Sequence, residues 1–179
     1  MVARHDSEAL RRKVGRREVS VIRIMFVCTG NICRSPTAEG VLRKLVAEAG
    51  LVDRVTVASA GTHGYHVGEP PDERSCAAAL RRAVDIRAQR AQRFKRAHFE
   101  EYDLILAMDR GHLRAIRAMA PDGAGRRIRL FLDYAPELGL KDVPDPYYGG
   151  PDGFEDVLDM IETAAAALLE DVRQTHLSD

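Results

Sequence analysis

The stretch "VCTGNICRSP", residues 27–36, closes an apolar run, turns through glycine and asparagine, and leaves on a Ser-Pro pair. It holds two of the three cysteines in the chain. Such a stretch is a metal clip, a redox pair or a nucleophile inside an anion cradle, and its surroundings decide which. Upstream, the β-branched run "VSVIRIMFV" predicts a strand that delivers Cys28 at its carboxyl end. Downstream, Ser35 suits an N-cap and Pro36 the first helical position. A helix is predicted over residues 36–49, with Ala38, Val41, Leu42, Leu45, Val46 and Ala49 on one face and Gly50 as its stop. The loop between is therefore a strand-to-helix turn. Its successive backbone N–H groups and the helix amino terminus converge on a dianion, for which phosphate is the natural occupant. Gly30 and Asn31 are residue types that tolerate the left-handed backbone of a tight cradle. A Walker A loop is excluded, because no glycine-lysine pair precedes the helix.

Two groups make this cradle chemical: the Cys28 thiol and the Arg34 guanidinium, with five residues between them. A thiol beside a helix amino terminus, inward N–H groups and an arginine is a thiolate at neutral pH. A planar, permanently charged guanidinium clamps two phosphoryl oxygens at once. A cysteine ending an apolar run is by itself more often a small core residue than a nucleophile. Strand end, Gly-Asn turn, arginine and Ser-Pro helix start together reverse that reading. A zinc clip lacks its second cysteine pair, since Cys76 stands far off without matching spacing. His63, His66 and Glu69 are conceivable metal ligands, but exposed loop residues are the better account, so no metal is expected.

The rest of the chain supplies the frame. Its 179 residues suit one domain with a real core and no disulfide staples. Lysine plus arginine equals aspartate plus glutamate at 27 each, which argues against nucleic acid or an anionic membrane as the main partner. The basic segment 81–96 has Phe94 as its lone aromatic, unlike a single-strand stacking platform. Residues 1–19 are polar and basic and are expected to form a flexible extension. Further strands are expected at 54–59, 102–108 and 127–133, and further helices at 72–83, 111–119 and from Asp152 through Leu169. The last of these opens on a candidate capping box formed by Asp152 and Glu155. The alternation predicts an α/β fold. It is a single three-layer domain with a four-stranded parallel sheet, helices on both faces and the phosphate loop after the first strand. Three cysteines in no scaffold pattern, with no apolar span of transmembrane length and no signal-peptide core, predict a reducing, cytoplasmic setting. Secretion without a signal peptide is left open by this reading.

Breaking a phosphate ester also needs a proton donor for the leaving oxygen. In "KDVPDPYYGG", residues 141–150, both Asp142 and Asp145 are candidates, and Pro144 and Pro146 restrict the backbone of Asp145. Here a family resemblance enters. "VCTGNICRSPTAEG" resembles the phosphate-binding loop of the low-molecular-weight protein tyrosine phosphatases of bacterial type. "SAGT" (59–62), "YDLILAMD" (102–109) and "DPYYGG" (145–150) extend the likeness over residues 22–169. The resemblance implies a catalytic domain over residues 20–175 that hydrolyses phosphotyrosine through a phosphocysteine, without a cofactor. Cys28 would be the nucleophile, Arg34 the transition-state clamp and Asp145 the general acid and then base.

It further implies that Thr29, Gly30, Asn31, Ile32, Cys33 and Ser35 form the cradle, and that Ser35 hydrogen-bonds the Cys28 sulfur, a role that competes with N-capping. Tyr147 and Tyr148 would wall the substrate ring, with Tyr65 a further wall or a tyrosine packed on its loop. Partners would be phosphotyrosine proteins and inorganic phosphate, as product and inhibitor, around a monomer or weak homodimer. Arginine phosphatases of the same fold resemble the motif with threonine where Ile32 stands, so isoleucine favours phosphotyrosine. In the family a second cradle cysteine protects the nucleophile by reversible disulfide formation, which Cys33 would do here. Many relatives brace the cradle asparagine with a histidine. Gln89 takes that place in this reading, with Ser59 as the main support. Asp109 is expected near the cradle without an assigned role, and Cys76 on the buried face of its helix. Two other readings fare worse. An arsenate reductase needs two further neighbouring cysteines, and only Cys76 remains. A phosphocarrier that merely holds phosphate has no use for Arg34 and Asp145.

Overall fold

The computed structural model describes residues 20–177, so the basic extension lies outside the described residues. Four strands, β1 (Ile22–Cys28), β2 (Val55–Gly61), β3 (Leu104–Ala107) and β4 (Ile128–Leu130), form one parallel sheet in the order β2-β1-β3-β4. The core explains why β1 is apolar almost throughout. Ile22, Ile24, Phe26 and Cys28 face one cluster, while Met25 and Val27 face the other. A strand buried on both faces reads as a continuous apolar run. The first face is covered by α1 (Arg34–Glu48) and α5 (Gly153–His176), with α2 (Glu73–Arg81) beside them. Phe26 meets Phe131 edge to face there, with ring centroids 4.9 Å apart. The second face is covered by α4 (Arg110–Met119) and by Phe94 and Phe99, the latter on the short α3 (His98–Glu101). No helix among the described residues is long and apolar enough to cross a membrane.

The three-layer α/β architecture is the one the alternation predicts, with differences in detail, among them that α5 runs on to His176 beyond the expected Leu169. Helix α1 begins at Arg34, and Cys33, not Ser35, is its N-cap. Both the N–H and the hydroxyl of Thr37 bond the Cys33 carbonyl, at 3.3 and 2.7 Å, which closes the first turn early and turns the Ser35 hydroxyl toward Cys28. Strand β4 stops at Leu130 because the chain then coils into a 3₁₀ turn, Phe131–Tyr134, that buries Phe131 and Leu132. The capping box of α5 does not form. Asp152 makes no side-chain cap, and Glu155 instead pairs with Arg81 and Arg82 at the end of α2. Helix α3 is absent from the sequence prediction because four residues carry no periodicity.

The topology fixes where a ligand can bind. From the central β1 the chain winds first to β2 on one side and later to β3 on the other, so the connections after β1 and β3 part. A crevice opens at such a switch point, outside the carboxyl ends of the strands. Residues 29–33 lie there.

Candidate active site

The cradle is set by one residue in a left-handed conformation and one close approach. Asn31 has φ 57°, which turns the loop back on itself, and asparagine tolerates this better than most residues. At Gly61, the end of β2, a Cβ would sit 2.7 Å from the Thr29 carbonyl oxygen. Only glycine lets these two backbones pass. The N–H groups of residues 29–35 find no acceptor among the described residues, the condition for an anion nest at a helix start.

Behind the loop runs a chain of hydrogen bonds whose direction can be worked out. The Gln92 backbone N–H donates to Asn31 Oδ1 at 2.9 Å, which turns the Asn31 amide nitrogen toward Ser35 (2.8 Å) and Ser59 (2.9 Å). Ser59 in turn gives its hydroxyl proton to Glu39 Oε2 at 2.6 Å. Ser35 therefore accepts from Asn31 and has its own proton to give, with Cys28 Sγ at 3.0 Å and the Ala60 carbonyl, at 3.4 Å, as its acceptors; a thiolate at Cys28 is the stronger of the two. The remote end is a buried carboxylate. Burial raises the Glu39 pKa against the lowering effect of Ser59 and Arg43, whose guanidinium lies 2.8 Å away. Gln92, through its backbone, thus braces the cradle asparagine. Gln89 does not reach it and donates to the Pro36 carbonyl instead, at 3.0 Å.

Arg34 is nine-tenths buried and fixed from one side. Its Nη1 donates to Asp109 Oδ2 at 2.9 Å and to the Val143 carbonyl at 3.1 Å, while Nη2 lies 3.6 Å from Asp145 Oδ2. Asp109 thereby acquires the role the sequence leaves blank: it anchors the guanidinium and caps α4 through the His112 N–H. Of the two candidate acids only Asp145 reaches the crevice. Asp142 is committed to Arg110 by its backbone and side chain, which holds its pKa below the usual carboxylate value. Asp145 Oδ1 accepts the Tyr147 N–H at 3.0 Å, starting a 3₁₀ turn, Pro146–Tyr148, that presents both tyrosines.

The resulting cleft, about 330 Å³, is lined by Cys28, Thr29, Gly30, Ile32, Cys33, Arg34, Tyr65, His66, Asp145, Tyr147 and Tyr148. Every expected site residue is at its wall except Asn31 and Ser35, which are buried behind the loop and act on it from there. Tyr65 is exposed and stacks on His63 with centroids 5.1 Å apart, so it stands at the rim and is not packed into the core. A larger cavity of about 570 Å³ is lined by Glu39, Arg43, Ser59, Gln89 and Gln92 among others. It contains no thiol, and the chemistry belongs to the smaller cleft.

The second cradle cysteine is deeply placed. Burial, and next to it the charge of Asp72, pushes the Cys33 thiol up to about 12, so it stays protonated at neutral pH. Cys76 is only half buried, at the edge of the core, its thiol 3.7 Å from the Pro71 carbonyl. His66 bonds Glu69 at 2.6 Å and lies over Gly30, where a Cβ would meet its ring at 2.9 Å. No group of three metal-ligating side chains occurs among the described residues.

Two further residues escaped the sequence reading. Glu39 is hidden in the first helix as an ordinary acidic residue. His112 is buried, with Nε2 2.8 Å from Thr29 Oγ1. The available signal was "MDRGH", in which an N-cap aspartate and a histidine three residues on share one helical turn.

A thiol at a strand end, in a loop of inward N–H groups, with an arginine behind and a carboxyl across the cleft, defines a cysteine-dependent phosphatase. Comparison with known proteins agrees. The profile for low molecular weight phosphotyrosine protein phosphatases matches residues 23–177. A low molecular weight protein-tyrosine-phosphatase of Streptomyces coelicolor is 47% identical over 155 residues, covering 85% of this chain and 94% of its own. The crystal structure of YfkJ from Bacillus subtilis superposes with a TM-score of 0.83 at 37% identity, covering 88% of this chain and 98% of that one. That of a Drosophila arginine phosphatase superposes with a TM-score of 0.79 at 27% identity, covering 85% and 98%. The chain belongs to the low molecular weight phosphotyrosine protein phosphatase family.

Proposed function

We propose that the chain hydrolyses phosphotyrosine in proteins, with Cys28, Arg34 and Asp145 as its catalytic residues. The observation that carries this reading is their convergence. The Cys28 sulfur has the Ser35 hydroxyl at 3.0 Å, and the Arg34 guanidinium and Asp145 carboxyl sit in the same cleft. In the first step the Cys28 thiolate attacks phosphorus in line, the S–P bond forming as the P–O bond to the phenol breaks. Asp145 gives its proton to the departing oxygen. Arg34 and the N–H groups of residues 29–33 hold the three equatorial oxygens, over which the charge of the transition state is spread. In the second step water attacks phosphorus, Asp145 takes its proton, and the S–P bond breaks to return thiolate and inorganic phosphate. Ser35, donating to the sulfur, stabilises the thiolate as nucleophile and as leaving group alike.

The substrate side is supported by the rim. Tyr147 and Tyr148 follow the acid directly and Tyr65 lines the same cleft, so a long aromatic phosphate is gripped along its ring and a short phosphoserine is not. Because the fold is shared with an arginine phosphatase, it does not choose the substrate by itself. Ile32, apolar and lining the cleft, supports an aryl ester over a guanidino phosphate. Release of a phenol from an aryl phosphate, lost in Cys28→Ser and strongly reduced in Asp145→Ala, is the first test. Turnover no higher than that of Cys28→Ser would overturn the reading. A preference for phosphoarginine over phosphotyrosine peptides would overturn the argument from Ile32.

Residues 20–175 form the catalytic domain in this reading, acting in the cytoplasm as a monomer or weak homodimer, with phosphate as product and competitive inhibitor. Cys33 serves as a redox guard. Peroxide converts the Cys28 thiolate to a sulfenic acid, and the Cys33 thiol displaces hydroxide, released as water, to give a disulfide that cellular thiols reduce. Peroxide inactivation of Cys33→Ser should then resist reversal by dithiothreitol, and full recovery of that variant would dismiss the role.

A further inference from the structure

The first turn of α4 touches both ends of the phosphate loop. Asp109, its cap, accepts from Arg34 through Oδ2 and from the His112 N–H through Oδ1, at 2.9 and 2.8 Å. His112, three residues on, reaches back to Thr29 at the opposite end, Nε2 to Oγ1 in 2.8 Å. Thr29 is the residue after the nucleophile, and its carbonyl is held from the other side by the His63 N–H at 3.0 Å. The proton on the His112 ring can be placed by argument. Nδ1 lies 3.1 Å from Asp109 Oδ1, off the line of a proper hydrogen bond but close enough for the carboxylate charge to favour a proton there over a bare lone pair. Nε2 is then an acceptor, and the Thr29 hydroxyl donates to it. Burial keeps the ring neutral, with its pKa lowered to about 4, so the pattern persists at neutral pH.

We propose that His112 is a positioning residue for phosphoryl transfer: by holding Thr29 while Asp109 holds Arg34, it makes one helical turn set the span between the two ends of the cradle. The inference rests on the phosphatase reading. Phosphoryl transfer leaves a protein little to do besides positioning and charge stabilisation, and donors must sit within about half an ångström of the transition-state oxygens to act fully. The residue after the nucleophile begins the arc of donors, and neither β1 nor α1 contains it. His112 touches no substrate atom in this account. Its effect passes through Thr29.

The test uses the full-length protein and an aryl phosphate. Thr29→Val removes the donor with little change of shape. His112→Leu removes the acceptor, and His112→Gln supplies another. Each of the first two should lower kcat about tenfold, the worth of one well-placed hydrogen bond, and change KM less. The double variant Thr29→Val with His112→Leu should be no worse than the poorer single, because both break one contact. His112→Gln should recover a substantial part of kcat. A Thr29→Val enzyme with the wild-type kcat would overturn the proposal, and so would losses that multiply in the double variant. His112→Leu with a lower melting temperature but unchanged kcat would reduce His112 to a structural residue. Absence of aryl phosphate turnover in the wild type would instead defeat the phosphatase reading, so the two failures are distinguishable.

Discussion

At the scale of single residues, burial moves the titration of the groups packed around the site. The ordinary histidine pKa of 6.5 applies to the unfolded chain, whereas burial lowers that of His112 in the fold to about 4, against the raising effect of Asp109. Between those values the unfolded chain binds the proton more tightly, so stability from this group is complete above pH 6.5 and is lost as pH falls toward 4. His112→Asn should flatten that part of the stability profile, removing an acid-side loss on the order of 3 kcal/mol. Urea titrations of both proteins from pH 4 to 7 would check it, and parallel profiles would show that other groups govern acid unfolding. Thr29–His112 and Arg34–Asp109 join residues 83 and 75 positions apart, which explains why the cradle was legible in the sequence and its supports were not. The cradle is contiguous. Its supports arrive only when the sheet orders β3 beside β1.

At the scale of elements, the loop depends on how closely β2 passes beneath it. Gly61 ends β2, bonds Gln92 and Phe94 through its N–H and carbonyl at 2.8 and 2.7 Å, and has the Thr29 carbonyl where a Cβ would go. The obstruction is backbone, which cannot swing aside as a side chain would. Gly61→Ala should therefore destabilise the protein by roughly 1 to 3 kcal/mol through overpacking and lower kcat further by displacing Thr29. Thermal melting with aryl phosphate kinetics would test this, and wild-type values for both would mean the loop yields freely. The elements also show where local reading fails. Ser35 and Pro36 carry a good helix-start signal, but the first turn closes on the Cys33 carbonyl, which frees Ser35 for the sulfur. Asp152 and Glu155 have the spacing of a capping box, yet Arg81 and Arg82 from α2 offer Glu155 two cations, and a tertiary pair displaces the local one. In the first case a neighbouring contact within the turn, and in the second a contact from another helix, wins over the capping propensity. Strand β1 needed no such outside help, because burial on both faces writes itself into the sequence as an unbroken apolar run.

At the scale of the whole molecule, the phosphate site draws on nearly every layer: β1 for Cys28, α1 for Arg34 and Ser35, β2 for Ser59 and Gly61, α4 for Asp109 and His112, and the segment before α5 for Val143 and Asp145. A ligand bound there is coordinated by groups that lose their arrangement together on unfolding, so its binding energy adds to global stability. Inorganic phosphate at a hundred times its dissociation constant should add about 2.7 kcal/mol, which for a chain of this size raises the melting temperature by roughly 5 to 10 °C. Arg34→Ala should abolish most of that shift at the same phosphate concentration, since it removes the cation whose two-sided clamp the anion requires. Cys28→Ser should retain most of it, because the cradle N–H groups and Arg34 remain. A wild-type shift no larger than that of Arg34→Ala would mean that phosphate acts only as a bulk salt, and the cradle would lose its standing as an anion site. A shift abolished by Cys28→Ser would mean that the thiol, and not the loop around it, organises the site.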